Sequence, residues 1–308
     1  MKTDDNKLIK NKIAQNMYKY LRKILTNISP TLNTKITYYI ANKKFPNLKN
    51  PTTFEEKLMW LKLNMYNDNP LVTMCADKYR VREYVINCGY SEILNDLIGV
   101  WDFVDQIDWE ILPNKFVLKC NHGSGYNLIC TNKEQLNVEE AKKKINKWLK
   151  EDFWKLYAEL NYKNIPKKII CEKYLDTEQG LLPSDYKVYC FNGIPQAILM
   201  ITNRDKEPEA IFMSPKWEYI SNVDKYKAME KFPKKPLSLD LMLKIAADLS
   251  KPFPFVRVDF YECNNKPIFG EMTFTPAAGI YVSQTEINGK SMGELLDINN
   301  KNNSLFNS

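Results

Sequence analysis

One histidine in 308 residues leaves little room for a Ser-His-Asp or Cys-His catalytic set, and none is evident. The seven cysteines (75, 88, 120, 130, 171, 190 and 263) form no C-x-x-C pair and are odd in number. Five of them (120, 130, 171, 190 and 263) lie in or beside strand-like runs, so buried thiols in a reducing compartment are expected. No apolar run approaches the roughly 18 residues needed to cross a bilayer. The first twelve residues are polar and do not read as a signal peptide, which points to a cytoplasmic protein. No internal repeat or low-complexity linker is present. Lys and Arg outnumber Asp and Glu by 44 to 37, a net +7. That suits anionic partners such as a nucleotide, a sugar phosphate or a membrane surface, but it is not concentrated enough to argue for nucleic acid. The length is generous for one core and natural for two or three sub-domains.

What the chain does have is a dense chemical hairpin near its C-terminus, FVRVDFYECNNKPIFGEMTFTPAAG, residues 255–279. Residues 255–261 alternate, with Val256, Val258 and Phe260 on one face and Arg257 and Asp259 on the other. Asn264-Asn265-Lys266-Pro267 reads as a turn. The return strand, 268–274, carries Glu271 and Thr273 two residues apart. Facing carboxylates repel unless a cation sits between them, and Mg²⁺ takes one or two carboxylates plus phosphate oxygens. Arg257 can hold a phosphate or an oxyanion through paired hydrogen bonds. The competing reading is a solvated face with an Arg–Asp ion pair.

Along the chain, residues 7–28 read as a helix ended by Pro30. Ile9, Ile13, Met17, Leu21, Ile24 and Ile28 recur at helical spacing, with lysines and Arg22 around much of the remainder. Such a helix can lie on an anionic membrane or pack on the body of the protein. Thr53, followed by Glu55 and Glu56, is a helix start, and a second charged helix is expected from Ala76 to about Ile86. From residue 113 the pattern turns to strands. Residues 116–120 and 128–130 flank Asn121-His122-Gly123-Ser124-Gly125-Tyr126-Asn127, a glycine loop able to cradle a phosphate or simply to turn a hairpin. It is not a P-loop, having no G-K-[ST], and Leu128 stands where G-x-G-x-x-G needs its third glycine. Lys119, in an apolar strand just before the loop, needs an anion. Two helices are expected in 135–160. Strands are expected at 168–175, 185–191, 196–202 and 210–213, with Asn192-Gly193 as a hairpin turn. A helix over 238–251 is expected to be capped by Ser238, with Leu241, Ile245 and Leu249 inward. A short helix at 291–297 and a frayed tail at 299–308 close the chain.

In this order, the pieces resemble the ATP-grasp superfamily and, more closely, its TupA-like family, named for teichuronopeptide synthesis and found among surface-polysaccharide genes. The match is carried by FPNLKNPTTFEEKLMWLK, ADKYRVREYV, LKCNHGSGYN, CEKYL, DYKVYCFNG and VRVDFYE…GEMTFTP, spread over most of residues 45–298. The resemblance implies an α+β ATP-grasp fold, two sub-domains gripping ATP, preceded by a helical region. The expected division is 1–105 helical, 106–175 the small sub-domain with the glycine loop, and 176–308 the core sub-domain with the metal and phosphate site.

The resemblance also implies roles. Lys119 would contact the α/β-phosphates, and His122, Gly123, Ser124 and Gly125 would belong to the loop closing over them. Glu172 would accept from the adenine amino group, with Lys173, Tyr174 and Leu175 presenting hinge backbone. Asp185 would hold the ribose, and Lys187 would be the second phosphate lysine. Asp259, Glu271 and Thr273 would bind Mg²⁺, with Thr273 replacing the family's usual asparagine. Arg257 and Lys187 would be catalytic. The implied reaction converts a carboxylate and ATP to an acyl phosphate, which an amine turns into an amide. A hexuronic acid or amino acid is the implied acyl donor. A glycosyltransferase, or a nucleotide-binding protein without catalysis, are the alternatives, and peripheral membrane association is compatible with the basic first helix.

Overall fold

The computed structural model describes residues 2–176, 182–204, 206–280, 282 and 285–300, with residues 2–14 described by their backbone alone. Most of the tail read at 299–308 therefore lies outside the described residues. Two antiparallel sheets carry the fold. The smaller is built from β1 (Leu97–Trp101), β2 (Phe116–Cys120), β3 (Asn127–Cys130) and β4 (Ile169–Lys173), in the order β1-β4-β2-β3. The larger has β5 (Asp185–Phe191), β6 (Ile194–Thr202), β7 (Glu209–Met213), β8 (Tyr219–Asn222), β9 (Phe255–Cys263) and β10 (Lys266–Thr273), in the order β10-β9-β5-β6-β7-β8. The α+β expectation is met, with β1 and β8 added to the strands read from sequence.

Five helices precede the small sheet: α1 (Lys2–Ile28), α2 (Pro30–Asn42), α3 (Phe54–Leu63), α4 (Pro70–Ala76) and α5 (Val81–Asn87). Pro30 does not simply end a helix. It opens α2 at the first helical position, where its missing N–H costs nothing, with Ser29 capping the N–H of Leu32. Thr53 caps α3 as expected, in a full capping box with Glu56. The helix expected from Ala76 to about Ile86 starts late: Ala76 instead ends α4, which was not expected, and helix resumes only at Val81. Asp77 Oδ1 accepts from the N–H groups of Tyr79 and Arg80 and from Asn121 Nδ2, diverting the backbone before α5 begins.

One core joins the large sheet to α3, α4, α5 and a helix over Leu239–Ser250. A second lies between β2, β3, β4 and α6 (Val138–Lys150). The Leu239–Ser250 helix buries Met242, Ile245, Ala246 and Leu249, whereas Leu241 faces out, contrary to the sequence reading. Ser238 does not cap it. Its hydroxyl and N–H both donate to Glu262 Oε1 instead. The two hairpins that fix the functional strands close as tight two-residue turns. Asn192-Gly193 and Asn264-Asn265 all sit at positive φ, matching the twist of the flanking strands. Pro267 falls on the edge strand β10, where a missing ladder donor is tolerated. Five cysteines are buried and the other two half-buried, all unpaired.

Candidate active site

The β9–β10 register aligns Thr273 with Arg257 and Glu271 with Asp259. It slips by one residue between Phe269 and Glu271, with Gly270 at the slip. A Cβ on Gly270 would stand 3.0 Å from the Asp259 carbonyl oxygen, so glycine is what allows this close approach. The pairing β5–β9 then sets Lys187 directly beside Asp259.

The result is a compact charge cluster. Lys187 Nζ lies 2.6 Å from Asp259 Oδ2 and 3.1 Å from Asp185 Oδ2. Arg257 grips Asp259 with two bonds of 2.7 Å, from Nε and Nη2. The same Nη2 donates to Thr273 Oγ1 at 3.1 Å and lies 3.6 Å from Glu271 Oε1. Thr273 Oγ1 in turn donates to Glu271 Oε1 at 3.1 Å. One guanidinium nitrogen thus reaches both carboxylates and the hydroxyl expected to hold a metal. Burial favours the neutral acid at Glu271, but Lys78, Lys187 and Arg257 outweigh it and pull its pKa down to about 2. Arg257 and Lys187 are held above their ordinary values, because their carboxylate partners, Asp259 foremost, overcome the cost of burial.

Glu271 is ionised in the folded chain well below its unfolded value. Its pairing therefore stabilises the fold above the ordinary carboxylate range and fades as pH falls from about 4.5 towards about 2. Glu271→Gln is expected to lower stability at neutral pH, with the gap to wild type closing across that acid window in urea titrations followed by tryptophan fluorescence. A gap independent of pH would mean the cations do not act on Glu271.

The second part of the site lies between the two sheets, an open cavity with an empty volume of about 610 Å³. The small sheet contributes Val117, Lys119, Asn127, Ile129 and Glu172. The segment leaving β4 contributes Lys173, Tyr174 and Leu175, and the large sheet side contributes Arg204, Tyr261 and Phe269. Apolar walls with a few convergent polar groups are what a purine needs. Lys119 and Glu172 form a close ion pair inside it, with Arg82 Nη1 4.0 Å from the other Glu172 oxygen. The Lys173 backbone donates to the Asp96 carbonyl and accepts from Nδ2 of Asn95, itself a lining residue of the cavity. Asp185 is buried against Lys187 and Arg204.

The sequence-predicted residues fall into three groups. Asp185, Lys187, Arg257, Asp259, Glu271 and Thr273 come together in the cluster. Lys119, Glu172, Lys173, Tyr174 and Leu175 come together at the cavity. In the glycine loop, Ser124 and Gly125 are exposed, but His122 is not with them: it is 2% exposed. Its Nε2 lies 3.1 Å from the Trp148 carbonyl oxygen and its ring packs near Tyr126. Burial, with Lys167 nearby, pushes its pKa down to about 4, so it is neutral at physiological pH and supports the loop from below. Gly123 is pressed on Phe153, where a Cβ would come within 2.7 Å of the ring.

Sequence reasoning missed four residues: Lys78, Arg82, Arg204 and Tyr261. Lys78 emerges from the α4–α5 break. Its Nζ donates to the Gly123 carbonyl at 2.6 Å and lies 3.4 Å from Glu271 Oε2. It ties the glycine loop to Glu271. Lys78 and Arg82 both stand in the ADKYRVREYV segment, where the charge pattern was visible but its target was not. Tyr261 follows Arg257 and Asp259 on the same face of β9, a spacing that could have singled it out.

Two antiparallel sheets facing one cavity, with the Lys119–Glu172 pair inside it and a second lysine–arginine–carboxylate cluster tied to it through Arg204 and Asp185, define an ATP-grasp protein. The chain belongs to the TupA-like ATP-grasp family, whose family model matches residues 56–296. Among solved structures, it is similar to D-alanine–D-alanine ligase from Bacillus anthracis, at 16% identity, 65% of this chain and 57% of that one, TM-score 0.39. It is also similar to the L-amino acid ligase from Bacillus licheniformis, at 15% identity, 69% of this chain and 44% of that one, TM-score 0.41. A third is D-cycloserine synthetase DcsG, at 13% identity, 74% and 71% coverage, TM-score 0.42. The chain thus spans little more than half the length of the first of these. A search of curated proteins gave no match.

Proposed function

We propose that this chain is an ADP-forming carboxylate–amine ligase of surface-polysaccharide synthesis, joining an amino acid or other amine to a hexuronic acid or similar carboxylate. The observation that carries the proposal is the cluster of Asp259, Glu271, Thr273, Arg257, Lys187 and Lys78, linked to the inter-sheet cavity through Asp185 and Arg204. Among the described residues no group of three or more His, Cys, Asp or Glu side chains is arranged to hold a metal. Two carboxylates and a hydroxyl are instead a partial, all-oxygen set, which suits Mg²⁺ that completes its shell with phosphate oxygens and water. Asp259 and Glu271 would hold Mg²⁺, and the ion would supply charge neutralisation to the phosphates.

The chain's own residues do the rest. Lys119 moves from Glu172 to the α/β-phosphates, and the cavity walls around Tyr174 and Leu175 hold the adenine. Asp185 holds the ribose. Lys187 and Arg257 neutralise the γ-phosphoryl group as a substrate carboxylate oxygen attacks it. The bond from the γ-phosphorus to the bridging oxygen breaks, and ADP leaves. The amine nitrogen then attacks the acyl carbon, phosphate departs with the bonding pair, and the amine gives up its proton. The family's tie to teichuronopeptide-type polysaccharide supports the choice of a uronic acid. The need for ATP supports a cytoplasmic setting, at the inner face of the membrane if the acceptor is lipid-linked.

The test is ADP release measured with paired uronic acids and amino acids. Release that depends on both partners and yields an amide by mass spectrometry is expected. Turnover of a nucleotide sugar with no need for ATP would overturn the proposal in favour of a glycosyltransferase.

An acyl phosphate hydrolyses readily, so the loop over residues 123–126 must exclude water before it forms. Gly125 sits at φ 77° with open space around its Cβ position, so a side chain there meets backbone strain rather than a neighbour. Gly125→Val is expected to lower amide formation more than ATP binding. Phosphate released per amide formed, both read in one reaction, is expected to rise. An unchanged ratio at an unchanged rate would make the loop an ordinary turn.

A further inference from the structure

The overall +7 conceals a sharp asymmetry. Residues 6–54 contain ten Lys and Arg and no Asp or Glu, a local +10, so everything else sums to −3. This segment is the α1–α2 hairpin and its exit. Its packing is inverted relative to an ordinary amphipathic hairpin. The face turned to the protein is mostly polar: Arg22, Thr26, Asn33, Thr34 and Thr37 are all buried, beside the apolar cluster of Tyr38 with Met59 and Ile280. Arg22, Thr26 and Asn33 hydrogen-bond to carbonyls of the short helix α7 (Trp154–Tyr157), and Thr37 Oγ1 donates to Asn33 Oδ1, while Arg22 Nε and Thr34 Oγ1 have no partner among the described residues. Thr26 Oγ1 donates to the Lys155 carbonyl at 2.7 Å and Asn33 Nδ2 to the Leu156 carbonyl at 3.3 Å. The Arg22 guanidinium covers the Tyr157 ring.

The opposite face is apolar and open to solvent. On α1, Met17 is 60% exposed, Tyr20 66% and Ile28 72%, with Leu21 and Ile24 completing the stripe at helical spacing. Leu32, Tyr39 and Ile40 continue it on α2, and Phe45, 65% exposed, stacks on Tyr39 with ring centroids 4.7 Å apart. Lys19, Lys35, Lys43 and Lys44 are exposed on the same hairpin and its exit. Water is a poor solvent for such a stripe, and one this continuous marks an interaction site.

From this we infer that the outer face of the α1–α2 hairpin docks on an anionic lipid bilayer. The aliphatic and aromatic side chains enter the interface, while the lysines reach the phosphate headgroups. No helix among the described residues is long and apolar enough to cross a membrane, so the hairpin lies on the surface rather than through it. The phosphates of a nucleic acid would match the lysines but leave the aliphatic stripe unmatched. A second copy of the chain would match the stripe but oppose ten like charges with ten more. This inference is independent of the catalytic reading.

The test is flotation of the full chain with phosphatidylcholine vesicles, with and without about one-third phosphatidylglycerol. Binding is expected only to the anionic vesicles and is expected to weaken as salt is raised. Leu21→Ser with Ile24→Ser is expected to reduce the bound fraction at least about tenfold, and Lys19→Glu with Lys23→Glu to abolish the preference for anionic lipid. Neither change is expected to move the melting temperature or ADP release in solution. Absence of flotation overturns the inference, as does equal binding to both vesicle types. A dimer in sedimentation equilibrium that the serine changes dissolve, without vesicle binding, would reassign the face as a subunit contact.

Discussion

Asp259→Asn is expected to reduce amide synthesis on the order of a thousandfold, the loss of about 4 kcal/mol of transition-state stabilisation. Asp259 is the most connected carboxylate of the cluster, bonded by Lys187 and twice by Arg257, and it is almost wholly buried. Removing its charge takes away the proposed metal ligand and leaves two buried cations short of a partner, so the melting temperature is expected to fall as well. The two effects separate when rate is normalised to folded protein and nucleotide binding is measured by calorimetry. Near-normal turnover by the folded variant would remove Asp259 from the chemistry. Thr273 provides the companion control. Its hydroxyl accepts from Arg257 and donates to Glu271. An asparagine amide can do both, so Thr273→Asn is expected to keep activity. Thr273→Val, which has the shape without the hydroxyl, is expected to lose it.

Lys119→Met is expected to weaken ATP binding by roughly thirtyfold, the equivalent of about 2 kcal/mol from charge-assisted hydrogen bonds to phosphate. In the structure this lysine is paired with Glu172, so ATP must compete for it. Glu172 keeps Arg82 at 4.0 Å when Lys119 is lost, which limits the cost to the fold. Calorimetric titration of ATP, with and without Mg²⁺, reads the change directly. An unaltered Kd would confine Lys119 to its ion pair and move the nucleotide elsewhere in the cavity.

Local signals in this sequence were readable wherever their partners were also local. The 255–273 hairpin, its asparagine turn, the Thr53 capping box and the Asn192-Gly193 turn are each written within a few residues. So is the two-residue spacing that sets Arg257 with Asp259 and Glu271 with Thr273. The α4–α5 break went unread although two of the bonds to Asp77, from the Tyr79 and Arg80 N–H groups, are local; the third comes from Asn121, 44 residues away. Lys78 and Arg82 could not be aimed at the site without that break. Arg204 follows the end of β6, and it reaches Asp185 through the β5–β6 pairing, a register that sets Asp185 opposite Ile201 and that residue types alone do not fix. The α1 stripe shows a different limit. Periodicity identifies a face but carries no sign, and here the polar face turned inward because Lys155 and Leu156 offered carbonyls to it.

The placement of Lys78 has a practical consequence for anyone recombining these proteins. The grip on the glycine loop and on Glu271 is encoded partly in the helices, ahead of either sheet. A chimera joined just before β1 would import foreign helices and discard a cation of the site together with Arg82, however faithfully both sheets were kept. Its crossover belongs upstream of Asp77, so that Asp77, Lys78 and the loop they serve are inherited from one parent.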